Sequence, residues 1–112
     1  MGVTSDSYLA LPLKSRTVTL IADNTAITLT DERLVLLASD DTTAANRTFT
    51  LVASSIVGHT VNIIFTSGTS TTAQMADTGI QKLSAAWEPL QYDTLTLISD
   101  GTNWIELARA DN

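Results

Sequence analysis

Short apolar runs separated by turn residues recur along the whole chain, and this spacing is the feature that most constrains the fold. Thr17–Ile21, Thr48–Val52 and Val61–Phe65 are examples, and Asp23-Asn24 marks one of the turns. Short strands that recur every ~8–12 residues are typical of sandwiches and barrels, and no long helical stripe competes with them. The pattern predicts an all-β protein, a small jelly-roll-like sandwich or barrel of about seven to eight short strands.

Length and composition limit how such a fold is filled. The 112 residues suffice for one domain. Aromatic residues make up only 5% of the chain, so valine, isoleucine and leucine must fill most of the core. Leu34–Leu37 is a continuous apolar run, which predicts a strand that is buried on both faces. Threonine is abundant and suits the solvent-facing side of a sheet.

Residues 92–107 predict a C-terminal hairpin. An apolar strand at Leu95–Ile98 leads to Asp100-Gly101, and a second strand begins at Trp104. Asp-Gly suits a tight turn because both residues tolerate φ > 0 better than most. A tryptophan just beyond a turn favours the core or a subunit interface, and a sugar-stacking platform is the alternative for Trp104 and for Trp87.

Two further segments divide the chain. Residues 1–13 predict an extended N-terminal arm ahead of a single β-domain at 14–112. The arm begins with polar residues and then carries apolar side chains at Tyr8, Leu9, Leu11 and Leu13. This apolar surface either covers the chain's own domain or reaches a neighbouring subunit.

The middle of the chain has the weakest pattern. Residues 66–79 predict a long loop, in which Ala73–Asp77 allows one helical turn. Loops of this length are often functional, so a mobile surface loop and a contact with a neighbouring subunit both stay open. Residues 80–90 predict a short irregular crossing, and the alternative is a helical stripe through Ile80, Leu83 and Trp87.

Charge and targeting signals exclude several partners. The net charge is −6, whereas nucleic-acid and anionic-membrane binding need a basic surface. The chain has no cysteine, no signal-peptide pattern and no apolar run near the ~20 residues of a membrane helix. We therefore expect a protein made in a cytoplasm, with no nucleic-acid or membrane partner.

Candidate catalytic residues are few. His59 is the only histidine, and no serine lies in a G-x-S-x-G elbow, so a turn histidine is predicted rather than a triad. Asp40-Asp41 could bind calcium but lacks EF-hand spacing. Glu88 and Glu106 could form a glycosidase pair only if the fold places them ~5–10 Å apart. We predict no catalytic residue, no cofactor and no metal, and therefore no enzyme.

From Arg47 onward the chain resembles small β-domains of tailed-phage virion proteins, which include capsid decoration, head-fibre and tail-fibre proteins. The resemblance rests on the strand at 48–52, the strand at 61–65, the loop after it and the hairpin. It is strongest from Tyr92 to Leu107.

The resemblance implies a homotrimer in which the apolar faces of three copies meet near an axis. Because the chain begins at Met1 and reads as one small acidic domain, we expect a capsid decoration (cement) protein on the capsid exterior, bound to the major capsid protein. A receptor- or glycan-binding domain of a phage tail or head fibre is the alternative. The predicted interface residues are Tyr8, Leu9, Leu11, Leu13, Leu95, Leu97 and Trp104, and for the last three the resemblance implies either the core or such an interface.

Overall fold

A computed structural model describes residues 14–40, 47–68 and 72–112, and these residues form nine β-strands and no helix. The predicted all-β class is confirmed. The strands are β1 (Ser15–Leu20), β2 (Thr25–Ile27), β3 (Leu34–Ser39), β4 (Arg47–Leu51), β5 (Thr60–Phe65), β6 (Ala73–Gln74), β7 (Gln81–Lys82), β8 (Thr94–Ser99) and β9 (Trp104–Ala110). The predicted arm, residues 1–13, lies outside the described residues.

The chain winds between two sheets. One sheet has six strands in the order β1-β3-β5-β8-β9-β7, and the other has three in the order β2-β4-β6. Up to β6, each strand pairs in parallel with the strand two places further along. The chain therefore makes three stacked coils, β1–β2, β3–β4 and β5–β6. Jelly rolls are built from antiparallel pairs, so the predicted jelly-roll connectivity is not confirmed.

The coils differ in length, which explains why the sequence shows no exact repeat. Thr17 pairs with Leu36, and Leu36 pairs with Ile64, so the partners lie 19 and 28 residues apart along the chain (17 to 36, and 36 to 64). The connections between the strands take up this difference. Stacking requires only that the strands stay in register, so the connections are free to vary.

The predicted C-terminal hairpin is confirmed. β8 pairs antiparallel with β5, and β9 pairs antiparallel with β8. The Asp100 carboxylate accepts hydrogen bonds from the backbone N–H groups of Asn103 at 2.7 Å and Thr102 at 2.9 Å. These bonds, led by that from Asn103, hold the pKa of Asp100 below its ordinary value. Gly101 takes a φ of +99°, a conformation that favours glycine.

The 66–79 stretch contains strand structure that the sequence did not predict. Ala73 and Gln74 form β6 beside β4, and Met75 forms an isolated bridge with Trp87. The predicted helical turn at Ala73–Asp77 is wrong because pairing with β4 decides the local structure. Residues 69–71 lie outside the described residues.

The segment from 80 to 90 is the predicted irregular crossing. Its only strand is β7, two residues long, which pairs in parallel with the start of β9. The alternative of a helical stripe through Ile80, Leu83 and Trp87 is not observed.

One apolar core contains the inward side chains of both sheets. Its central members have 0% exposure and include Val35, Leu37, Val61, Ile63, Leu95 and Leu97. Burial of one such side chain contributes ~1.5–3 kcal/mol. Leu34 and Leu36 point to the opposite face of β3 and are half-buried. The prediction that Leu34–Leu37 is buried on both faces is therefore wrong, because the three-stranded sheet covers only one face of the larger sheet.

Candidate functional site

Three of the predicted interface residues lie in the protein's own core. Leu95, Leu97 and Trp104 each have 0% exposure. The Trp104 indole N–H donates to the carbonyl of Val52 at 2.9 Å, and its ring meets His59 edge to face at 5.2 Å between centroids. The folded domain therefore does not offer these side chains to a partner. The other four predicted interface residues, Tyr8, Leu9, Leu11 and Leu13, lie outside the described residues.

Neither tryptophan exposes a ring on which a sugar could stack. Trp87 is 2% exposed and meets Phe49 edge to face at 6.3 Å between centroids. Within the part of the chain that the structure describes, the Trp87 indole N–H has no hydrogen-bond partner. Both rings belong to the core, so neither tryptophan provides the sugar platform that the sequence left open.

His59 is held by its own chain through both ring nitrogens. Nε2 lies 2.6 Å from the carbonyl oxygen of Glu32, and Nδ1 lies 3.4 Å from Oγ of Ser54. Because a carbonyl oxygen can only accept, Nε2 carries the proton and Nδ1 accepts from the serine hydroxyl. The structure shows the predicted hydrogen-bonded turn histidine. A triad holds its histidine through a carboxylate, whereas Nε2 of His59 is bound to a backbone carbonyl.

Glu32 is a buried carboxylate that organises the turn between β2 and β3. Its Oε1 accepts hydrogen bonds from the Thr30 hydroxyl at 2.7 Å, the Thr30 backbone N–H at 2.9 Å and the Asp31 backbone N–H at 3.0 Å. Its Oε2 lies 2.7 Å from Nη2 of Arg16. Burial raises the pKa of this carboxyl, but the hydrogen bonds from Thr30 and Asp31 outweigh burial and hold the pKa of Glu32 at about 2.

Glu106, a residue of β9, has the same kind of role. It accepts two hydrogen bonds of 2.8 Å from the Arg109 guanidinium and one of 3.0 Å from the Ser84 backbone N–H. The bonds from Arg109 lower the pKa of Glu106 to about 2 against the effect of burial, and they raise the pKa of Arg109. Glu88, its predicted glycosidase partner, is exposed. A general acid needs a raised pKa, so Glu106 cannot fill that role at neutral pH.

The predicted calcium alternative is only partly within the described residues. Asp41 lies outside them, and Oδ1 of Asp40 is 3.1 Å from Nε of Arg47. Asp23 approaches the same guanidinium at 3.8 Å. Within 14–40, 47–68 and 72–112, no group of three or more histidine, aspartate or glutamate side chains could hold a metal ion.

A shallow pocket of about 250 Å³ opens beside the β4–β5 turn. Its lining residues are Asp31, Arg33, Ile56, Val57, Gly58, His59 and Thr60. Small-molecule sites are usually larger, at ~300–1,000 Å³, and bury most of the ligand. The exposed side chains of Ile56 and Val57 form an apolar rim rather than an enclosed cavity.

The outer face of the six-stranded sheet has an unusual composition. On β1, β3, β5, β8 and β9, three residues each point away from the core, which makes fifteen positions without a charged side chain. We call these positions the neutral face. Its apolar members are Leu34, Leu36, Ala38, Ile64, Ile98, Ile105, Ala108 and Ala110. Its polar members are Ser15, Thr17, Thr19, Thr60, Asn62, Thr94 and Thr96.

The charged residues of these five strands all lie at the alternate positions, which do not belong to the neutral face. The charged residues are Arg16, Glu106 and Arg109, and their register partners are Val35, Leu97 and Leu95, which are core residues. Because successive side chains of a strand point to opposite faces, these charges lie away from the neutral face. The nearest charge to it on the strands is Lys82, on the sixth strand at the sheet edge beside Ile105.

Reasoning from the sequence missed the neutral face. It selected Leu95 and Leu97 for an interface. These two residues face the core, whereas Thr94, Thr96 and Ile98 of the same strand face the other side of the sheet. The available signal was the absence of charge at alternate positions of several strands. That signal becomes a surface only when the strand order is known.

Comparison with known proteins adds no family to these observations. Within the described residues, no helix is long and apolar enough to cross a membrane. No family model matches the chain, and a search of curated proteins returns no match.

Proposed function

We propose that this protein is a structural protein of a tailed-phage virion, a capsid decoration (cement) protein that binds the outer capsid surface as an oligomer. The observation that carries the proposal is the neutral face, on a chain whose net charge is −6. Charged residues make up 16% of the chain, so fifteen average positions would include about two charges, whereas the neutral face has none. Interface cores are depleted in charge, and this supports a role in assembly.

The ionised groups support the same role. Glu32 and Glu106 have pKa values of about 2 because their carboxylates bind donors of their own chain. Each fixes a connection between strands, Glu32 at residues 30–31 and Glu106 at Ser84. These contacts tie the connections to the strands, which suits a protein whose task is mechanical.

The sequence resemblance supplies the setting. We propose a homotrimer whose two sheets form a small sandwich, placed on the capsid exterior against the major capsid protein after synthesis in the host cytoplasm. No cofactor, nucleic acid or membrane takes part. A ligand that binds only the closed shell stabilises it, by about 2.7 kcal/mol per site at a free concentration of 100 times the dissociation constant.

Binding to capsids tests this proposal. Purified capsids of the phage whose genome encodes the chain are incubated with increasing protein and sedimented. We expect saturation at a fixed number of copies per capsid and a higher temperature of capsid disruption. Protein that stays in the supernatant at every concentration would contradict the proposal.

The N-terminal segment has its own test in the same assay. Deletion of residues 1–13 is expected to reduce capsid binding and to leave the circular dichroism of the β-domain unchanged. Unchanged affinity of the deletion variant for capsids would show that the segment is not the anchor.

A further inference from the structure

We propose that the neutral face is a contact surface for a second copy of this chain. The inference deepens the proposed function by naming the partner of that face, and it rests on the proposed function only for its biological setting. It differs from the expectation drawn from the sequence, because Leu95, Leu97 and Trp104 are buried in the core and take no part.

Charge favours another copy as the occupant. The chain has a net charge of −6, so two copies repel each other over most approaches. The neutral face is the approach on which five adjacent strands present no charge, and its contact buries none. Burial of an unpaired charge costs several kcal/mol, and this cost is absent here. A basic partner would find no acidic side chain to pair with on this face, whereas a second copy of the chain presents a face that is also uncharged.

The arrangement of side chains also suits a contact. Leu36 lies beside Ile64, and Ile98 lies beside Ile105, so aliphatic groups of neighbouring strands form two pairs on the face. These aliphatic side chains are half-buried and gain further burial when the face is covered.

Polar members of the face are compatible with being covered. The Thr96 hydroxyl donates to Oδ1 of Asn62 at 2.7 Å across β8 and β5. When water is excluded, a donor and an acceptor that already bind each other lose less free energy than unpaired polar groups would.

The size of the face sets the strength of the contact. Five strands at ~4.8 Å spacing and five residues at ~3.3 Å per residue give about 24 by 17 Å, or about 400 Å² per copy. This is about half of the ~800 Å² per partner in a standard interface. Self-association is therefore expected to depend on concentration. The exposed side chain of Leu107 lies at the β9 bulge, next to Ala108 of the face along the chain.

The test is the mass of the full chain in solution. Sedimentation equilibrium from about 1 µM to about 500 µM covers the affinity range of a small interface. We expect the mass to rise from 11.9 kDa to a multiple of that value. Ile64→Lys, in the centre of the face, is expected to raise the midpoint concentration at least tenfold.

Two further variants make the test specific. Thr17→Lys, on exposed edge strand β1, places a charge on the same face at little cost to the core, so it serves if Ile64→Lys fails to fold. Thr50→Lys adds the same charge at an exposed position of β4 in the other sheet and is the matched control. The control is expected to associate like the unmodified chain.

The outcomes separate this inference from the proposed function. A monomer at every concentration, or face variants that associate like Thr50→Lys, overturn the inference. The inference is also overturned if the chain is a monomer and associates only when Leu9→Ser and Leu11→Ser are introduced. The chain's own N-terminal segment would then be the occupant of the neutral face. If the chain associates and Ile64→Lys abolishes the association, the inference is supported, whether or not the protein binds capsids. A failure to bind capsids would overturn the proposed function alone.

Discussion

Replacement of Glu32 by glutamine removes a buried charge and leaves the side-chain shape almost unchanged. The carboxylate has 7% side-chain exposure, accepts three hydrogen bonds within residues 30–31 and pairs with Arg16 at 2.7 Å. A neutral amide keeps one acceptor oxygen for these donors and turns its NH₂ group toward a cation. The turn between β2 and β3 therefore loses the ion pair with Arg16 and most of the strength of the hydrogen bonds to the carboxylate.

The magnitude follows from the pKa. A fall from 4.5 to about 2 corresponds to about 3 kcal/mol of stability at neutral pH. Because the pKa is lower in the folded chain, this stability is fully present above pH 4.5 and is lost as the pH falls toward 2. At pH 3 about 1 kcal/mol of it remains. We expect Glu32→Gln to cost about 2–3 kcal/mol at pH 7 and about 1 kcal/mol at pH 3.

Urea unfolding followed by tryptophan fluorescence at pH 7 and pH 3 measures both values. Glu88→Gln is the matched control, because the Glu88 side chain is exposed, and it is expected to change the free energy of unfolding by less than about 0.5 kcal/mol. A cost of Glu32→Gln that stays the same at both pH values, or that falls below the control at pH 7, would refute this account of the turn.

Three further substitutions test other parts of the structure by urea unfolding. Glu106→Gln is expected to cost about 2 kcal/mol at pH 7 and less at pH 3, because the pKa of Glu106 is about 2; a cost independent of pH would contradict the role of its ion pair with Arg109. Trp104→Phe should cost about 1–3 kcal/mol, since it leaves the Val52 carbonyl without its donor, and a neutral change would argue against that bond. Gly101→Ala should cost about 1 kcal/mol or more at its φ of +99°, whereas Gly68→Ala, with open space around it, should be nearly neutral.

The strands were predictable because their signal is local. Thr17–Ile21 and Val61–Phe65 alternate or cluster apolar residues over one strand length. The observed strands, Ser15–Leu20 and Thr60–Phe65, begin and end within two residues of these bounds. Asp100-Gly101 predicted the hairpin turn for a reason that also lies within a few residues, namely the φ that glycine allows.

The pairing of the strands was not predictable from the same patterns. Parallel stacking of coils depends on the path of the connections, and nothing in one strand records the sheet to which the next strand belongs. β6 has only two residues and owes its conformation to pairing with Arg47 and Thr48 of β4. Alternation also left open which face of each strand is buried, so Leu95 and Ile98 could not be assigned to the core and the surface.

The candidate site depended on this missing information. The neutral face combines alternate residues of five strands that are far apart in the chain, such as Thr17, Leu36 and Ile64. Each residue alone is an ordinary strand residue. Only the register across the sheet shows that the charges at Arg16 and Glu106 all lie on the other side.

The central claim is that this chain is a structural component of the capsid exterior, and imaging of the virion tests it most directly. The proposal predicts that a cryo-EM reconstruction of the phage particle shows this β-domain on the outside of the head, against the major capsid protein and at symmetry-related positions. Its absence from purified particles, or its presence only in the tail, would contradict the account.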